Sequence, residues 1–187
     1  MTRLIGLCSP VMGSGKSTVS EYLRTYRAED NFEDVAFATA LKEMAAGLLT
    51  GMGMEEMDVH RRIYGSRKEE VIPTLGITSR RLQQMLGTEF GRKMIREDLW
   101  MEISMANAAD LMARGHSVVI DDVRFRNEYD AILAAGGTVY RVVRPSAKLT
   151  SEAHSSEGQL DGIAMPEIWN TGSLADLFAA VDRAVFA

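Results

Sequence analysis

The stretch Gly6–Leu23, GLCSPVMGSGKSTVSEYL, decides the fold. An apolar run from Leu4 to Cys8 gives way to Gly13-Ser14-Gly15-Lys16-Ser17-Thr18, and Val19, Tyr22 and Leu23 then recur at helical spacing. The order is strand, loop, helix. A loop in that setting matches the phosphate-binding pattern G-x-x-x-x-G-K-[ST], except that Pro10 stands where the first glycine belongs. A proline can enter such a loop, but it denies the positive φ that glycine allows. Gly13 and Gly15 let backbone N–H groups, Ser14 among them, turn toward phosphate oxygens, and the following helix directs its positive end at them. Lys16 then reaches the terminal phosphates. Ser17, in register with the motif ahead of Thr18, offers magnesium a hydroxyl. The competing reading is a glycine-rich turn carrying an exposed lysine, and strand, spacing, lysine, hydroxyl and helix together weigh against it.

Phosphate chemistry at this loop needs a carboxylate at the end of a neighbouring strand, and VVIDDVRFRNE supplies two. Val118 to Ile120 reads as the strand, Asp121 and Asp122 stand at its carboxyl end, and Arg124 and Arg126 follow. One aspartate in that position holds the magnesium shell and the other orients or deprotonates an acceptor. The residues leave the division of labour open; the working assignment is Asp121 to the metal and Asp122 to catalysis. The alternative is that both aspartates cap the helix that follows.

The chain has 187 residues, 46% of them hydrophobic and 25% charged, with a formal net charge of −5. That composition fits one compact domain and argues against a general nucleic-acid binder. The charge is uneven. Between Arg61 and Arg96 nine Lys or Arg stand against three Glu, a local +6 that leaves −11 for the rest. Cys8, the one cysteine, reads as a small buried hydrophobe that suits a reducing cytoplasm. No segment is expected to target the chain or to span a membrane. Further apolar runs at Val35 to Ala38 and Val139 to Val143 alternate with helical patterns at Ser17 to Tyr26, Ala40 to Leu49, Ser79 to Ile95, Leu99 to Ala113, Glu128 to Ala135 and Leu174 to Phe186. Gly115 and Gly136-Gly137 serve as helix stops. Alternation of this kind predicts an α/β fold with a parallel β-sheet flanked by helices. Gly51 to Pro73 breaks the rhythm and reads as an inserted subdomain: one domain with a core of about 1–50 and 115–187 and an insert of about 51–100. A second anionic substrate would need a cationic pocket, and the basic insert is the place for one. No N-K-x-D guanine-reading element occurs.

SPVMGSGKST, FATALKEMA, KEEVIPTLGITSRRLQQMLGTEFGRKMIREDLW, VVIDDVRFRNE, HSSE and IWNTGSLADL together resemble the bacteriophage-type deoxynucleoside monophosphate kinases. The resemblance implies a P-loop kinase fold with a helical acceptor-binding insert, ATP as co-substrate, Mg2+ as cofactor, and γ-phosphoryl transfer to a deoxynucleoside 5′-monophosphate in the host cytoplasm. Lys42, Arg81, Gln84 and Arg92 would then line the acceptor site, Asp98 and Trp100 would shape it, and Arg124 would bridge the phosphates of donor and acceptor. Arg144 would add charge on the ATP side, and Asn170 would read the adenine edge.

Plainer roles are open to several of these residues. Arg62, Arg80, Lys93 and Arg96 suit a solvated helix face, Trp100 the core, His154 a polar loop, and Met44, Met85, Met94, Met101, Met105 and Met112 core packing. Asn170 suits a turn before a Ser173 N-cap. Ser146 to Trp169, where an arginine-rich lid would lie, has only Lys148 as a basic residue. A P-loop kinase of another phosphorylated acceptor, such as phosphomevalonate, and a nucleotide-hydrolysing switch are the alternative functions, and a homodimer is left open.

Overall fold

The computed structural model describes residues 2–11, 13–147 and 159–187, so the expectations on Lys148 and His154 lie outside the described residues. The chain divides into two compact units, Met1–Ala36 with Met105–Ala187, and Phe37–Ser104.

The first unit is built on a parallel sheet of five strands: β1 (Leu4–Cys8), β2 (Phe32–Val35), β5 (Ser117–Ile120), β6 (Thr138–Val143) and β7 (Glu167–Trp169), in spatial order β2-β5-β1-β6-β7. Successive side chains of β1 alternate between the faces. Ile5 and Leu7 join a core with Val19 and Leu23 of α1 (Lys16–Thr25) and Leu177 and Val181 of α7 (Leu174–Val185). On the opposite face a Cβ at Gly6 would meet Ile132 of α6 (Arg126–Ala134) at 2.8 Å. Burial on both faces is why β1 is apolar throughout and β5 is apolar from Val118 to Ile120. The α/β fold with a parallel sheet flanked by helices is thus the one the sequence predicts.

One strand expectation is corrected. The run Val35 to Ala38 is not the strand; Phe32–Val35 pairs with Ser117–Ile120 instead. An apolar run is a poor guide at an edge, where the outer residues Glu33 and Asp34 can face solvent, Asp34 pairing with Arg24 at 2.8 Å. The three-residue β7 was too short to announce itself.

The second unit is helical: α2 (Thr39–Gly51), α3 (Glu56–Ile63), a two-residue hairpin of β3 (Val71–Ile72) and β4 (Ile77–Thr78), and α4 (Ser79–Gln84), packed over Ala45, Leu49, Val59, Ile63, Ile72 and Leu82. The following α5 (Leu99–Ala113) runs on into the first unit. α3 hides in the sequence because its few inward positions include a charge. Arg62 is only 5% exposed, donating to Asp58 at 3.0 Å, which overturns its reading as part of a solvated face. Arg80, Lys93 and Arg96 do lie on the surface, paired with Glu69, Glu89 and Glu102.

The helix expected over Ser79 to Ile95 also changes. Thr78 caps it, its hydroxyl accepting from the Arg81 N–H at 3.1 Å, but from Met85 to Ile95 the winding is π-helical, and the Arg96 N–H reaches back five residues to the Gly91 carbonyl at 2.9 Å. Trp100, 3% exposed, explains where the wider turns go. Its indole N–H donates to the Gly87 carbonyl at 2.8 Å, and its ring occupies the space a side chain at Gly91 would need, within 2.3 Å of that Cβ. Trp100 is therefore a core residue. Met44, Met85 and Met94, expected in the core, are 42%, 39% and 75% exposed; an α-helical count misplaces the last two once the winding changes.

Behind β5 the chain turns through Asp121–Phe125 into α6, and Glu128 holds that turn. Its buried carboxylate accepts from the N–H groups of Arg124 at 2.8 Å and Phe125 at 3.0 Å. Hydrogen bonds to a charged acceptor contribute roughly 1.5–3 kcal/mol each, so Glu128→Ala should lower the unfolding free energy by at least about that much, read by urea denaturation. A loss under about 0.5 kcal/mol, the size of an ordinary surface change, would contradict this role.

Candidate active site

The loop after β1 is gripped from outside. Asn170, at the end of β7, donates its side-chain N–H to the Ser14 carbonyl at 2.9 Å, while its own backbone N–H donates to the Val143 carbonyl at 2.8 Å. Arg144, just past β6, donates to the Gly13 carbonyl at 3.1 Å. In a planar trans peptide the N–H points opposite to the C=O. With the Gly13 and Ser14 carbonyls drawn toward these donors, the N–H groups of Ser14 and Gly15 face the other way, as anion binding requires. Gly15 makes the grip possible. Its φ is 105°, and a Cβ there would lie 2.6 Å from the Asn170 amide nitrogen. One N–H of the Asn170 amide thus serves the loop, while Ser173 caps α7 as expected, accepting from the Asp176 N–H at 3.3 Å.

Pro10 is accommodated without a first glycine, because the Ser9 hydroxyl accepts from the Val11 N–H at 3.3 Å and closes the turn. Ser14 is 1% exposed and its hydroxyl has no hydrogen-bond partner among the described residues. Buried hydroxyls are ordinarily bonded, so an orphan inside this loop fits a phosphate ligand.

Lys16 opens α1, with Ser17 and Thr18 after it in the same first turn. Its ammonium is pushed below the ordinary lysine pKa by burial first and by the Arg124 guanidinium second, while Asp121, Cys8 and Asp122 act in the opposite sense. Those neighbours map the site. Strands β1 and β5 run parallel with Gly6 beside Ile120, so their carboxyl ends coincide and the loop lysine meets the Asp-Asp-x-Arg turn. The helix-cap alternative for the aspartates fails: α6 begins at Arg126 with Phe125 at its N-cap. Arg126 is bound to Asp130 at 2.8 Å and points its charge there. Cys8, as expected, is buried in β1, and burial pushes its thiol pKa up.

Among the described residues no cluster of three His, Cys, Asp or Glu could hold a metal on its own. Mg2+ is commonly held by one or two carboxylates plus substrate phosphates, and Ser17 with Asp121 and Asp122 is a donor set of that kind.

The other predicted residues, Lys42, Arg81, Gln84, Arg92, Asp98 and Trp100, all belong to the second unit. Lys42 stands on α2 with its ammonium 5.8 Å from the centre of the Tyr64 ring. Arg81 and Arg92 are eleven residues apart, close to three α-helical turns, but π-winding from Met85 onward removes Arg92 from the face that count gives it. Arg92 is half-buried and donates to the Glu97 carbonyl at 3.3 Å. Sequence reasoning missed Glu128, although a glutamate three residues into a helix is the signal of a carboxylate reaching back to the N-cap N–H.

A family model described as deoxynucleotide monophosphate kinase matches residues 49–181. The chain belongs to this family. A protein of Acanthamoeba polyphaga mimivirus, assigned as a deoxynucleotide monophosphate kinase, is 30% identical over 177 residues, 88% of this chain and 86% of that one. The deoxynucleotide monophosphate kinase of Enterobacteria phage T4 is 34% identical over 106 residues, 54% of this chain, and the match spans 43% of the phage protein's length. An unliganded sugar kinase from Janibacter sp. superposes with a TM-score of 0.49 at 14% identity, over 99% of this chain and 95% of that one. The resemblance read from the sequence is borne out, and as a member of this family the chain is a kinase, an enzyme that phosphorylates deoxynucleoside monophosphates, with ATP the donor the family implies.

Two measurements probe the loop. Protonated Lys16 is the form that attracts phosphate, so kcat/KM for ATP should fall as pH rises through the lowered lysine pKa, on a limb below the ordinary 10.5, and Lys16→Arg should move that limb upward. Asn170→Ala should raise KM for ATP by about tenfold, the worth of roughly one lost hydrogen bond that leaves a carbonyl unpaired. Unchanged ATP kinetics in a folded Asn170→Ala enzyme would remove Asn170 from the loop's support.

Proposed function

We infer that the chain transfers the γ-phosphoryl group of ATP in a direct, in-line step to the 5′-phosphate of a deoxynucleoside monophosphate, giving the diphosphate and ADP. The observation that carries the reading is the meeting of Lys16 with Arg124, Asp121 and Asp122 at the joined ends of β1 and β5. Phosphoryl transfer proceeds through charge spread over the equatorial oxygens, and catalysis is positioning plus electrostatic stabilisation.

Lys16 and Arg124 supply the positive charge for the transferring group, and Ser14, Gly15 and the start of α1 hold the donor phosphates with Gly13, Thr18, Arg144 and Asn170 in support. Ser17 and Asp121 would hold Mg2+, which when bound neutralises phosphate charge. Asp122 orients the acceptor oxygen or takes its proton. The second unit serves as the acceptor-binding insert, with Lys42, Arg81, Gln84 and Arg92 on the acceptor and Asp98 and Trp100 shaping the segment. For Trp100 the support is mechanical, through the π-helix it braces. A buried thiol and the lack of any long apolar helix among the described residues suit a cytoplasmic enzyme.

A panel of deoxy- and ribonucleoside 5′-monophosphates with ATP and Mg2+, alongside phosphomevalonate and an acceptor-free control, tests the reading. At least one deoxy form should be turned over with one ADP per diphosphate formed, and Asp121→Asn or Asp122→Asn should lower kcat by on the order of a hundredfold or more. Turnover of phosphomevalonate but of no nucleotide, or ATP hydrolysis indifferent to every acceptor, would refute it.

A further inference from the structure

Five of the ten lysines and arginines of the second unit are matched by carboxylates within it. Arg62 and Arg67 are held by Asp58 and Glu70, Arg80 by Glu69, Lys93 by Glu89 and Arg96 by Glu102. Among the described residues Arg61 and Arg81 make no ion pair, Arg61 donating to the Met57 sulfur at 3.4 Å, and two less exposed lysines join them. Among the described residues Lys42 and Lys68 make no ion pair, although Lys68 is only partly exposed.

The fold places these two with care. Lys68 follows α3, and its carbonyl accepts from the Arg80 N–H at 3.0 Å, which fixes it beside the first turn of α4. Lys42 comes from α2, its ammonium over the ring of Tyr64, the residue that ends α3. Tyr64 is 44% exposed, so an aromatic face is open beside the charges. Burial, Lys42 and Arg80, in that order, push the Lys68 ammonium below its ordinary pKa, and Glu69 alone acts against them. Glu69 is already bound to Arg80. The folded unit therefore holds Lys68 partly withdrawn from water and under the repulsion of Lys42 and Arg80, while Glu43, next to Lys42 on α2, acts on Tyr64. A dianionic ligand relieves that repulsion, and lysine, a compact point charge, suits a phosphate monoester.

We propose that Lys68 joins Lys42 in binding the 5′-phosphate of the acceptor nucleotide, with the Tyr64 ring alongside. The assignment rests on the reading of the chain as a deoxynucleoside monophosphate kinase. Lys68 then contributes to acceptor affinity through charge, so its loss should be felt by the phosphate and not by the nucleoside.

The test is equilibrium binding to the full chain without ATP, using the deoxynucleoside monophosphate that is turned over best and the same deoxynucleoside without its phosphate. Lys68→Met should weaken nucleotide binding by about tenfold or more, the worth of a charge-assisted phosphate contact, while nucleoside affinity and KM for ATP stay at parent values. Lys68→Arg should recover part of the loss. If Lys68→Met melts early, Lys68→Gln, which keeps a polar, shorter and uncharged side chain, gives the same comparison. Nucleotide affinity within twofold of the parent in a folded variant would overturn the proposal, and so would equal losses for nucleotide and nucleoside, which mark a packing residue. A parent chain that neither binds nor turns over any deoxynucleoside monophosphate would fail at the activity itself, an outcome distinct from a parent that works and a Lys68 variant that works as well.

Discussion

The parallel pairing of β1 with β5 is the constraint on which the first unit depends. Once Gly6 lies beside Ile120, the glycine loop and the Asp121-Asp122-Val123-Arg124 turn leave the sheet at the same edge. A lysine, an arginine and two carboxylates then share a region that no one of them could define. Bringing Lys16 out of water beside another cation is unfavourable, as the direction of its pKa shift records. The site tolerates this because a polyanionic substrate reverses the balance: charges that repel in the free protein are drawn together around phosphate.

Support for this arrangement comes from side chains that hold its backbone. Asn170 and Arg144 pull two loop carbonyls outward, and Glu128 gathers the N–H groups of the turn behind Asp122. Both devices use the same physics. A backbone group that must be bonded is given a partner on the side away from the ligand, which fixes its neighbour toward the ligand. The loop is thereby formed before any nucleotide arrives, so less ordering is left to binding.

The second unit answers a different demand. Its ion pairs take up half of its lysines and arginines, and the buried Arg62 joins α3 to the strand that follows through Asp58 and the carbonyls of Glu70 and Val71. The local +6 already counts Glu69, Glu70 and Glu89, so among the pairing carboxylates only Asp58 and Glu102 offset it further. The π-winding braced by Trp100 sets where the later cations of the unit face.

The sequence by itself determined the α/β class, the β1 strand to the residue, the phosphate loop, the acidic turn after β5 and the family. These are local facts: a strand buried on both faces must be apolar along its length, and a loop that wraps phosphate must have glycines and a lysine at fixed spacing. Only the tertiary structure decided that β2 is Phe32–Val35, that Arg62 is buried, that the helix after Ser79 widens at Met85, and that Asn170 braces the phosphate loop. Each of these depends on a partner far along the chain or on another element, Ser117 for β2, Glu70 for Arg62, Trp100 for the π-helix and Ser14 for Asn170. The pairing energy that selects such a partner belongs to the contact and is written in neither residue alone.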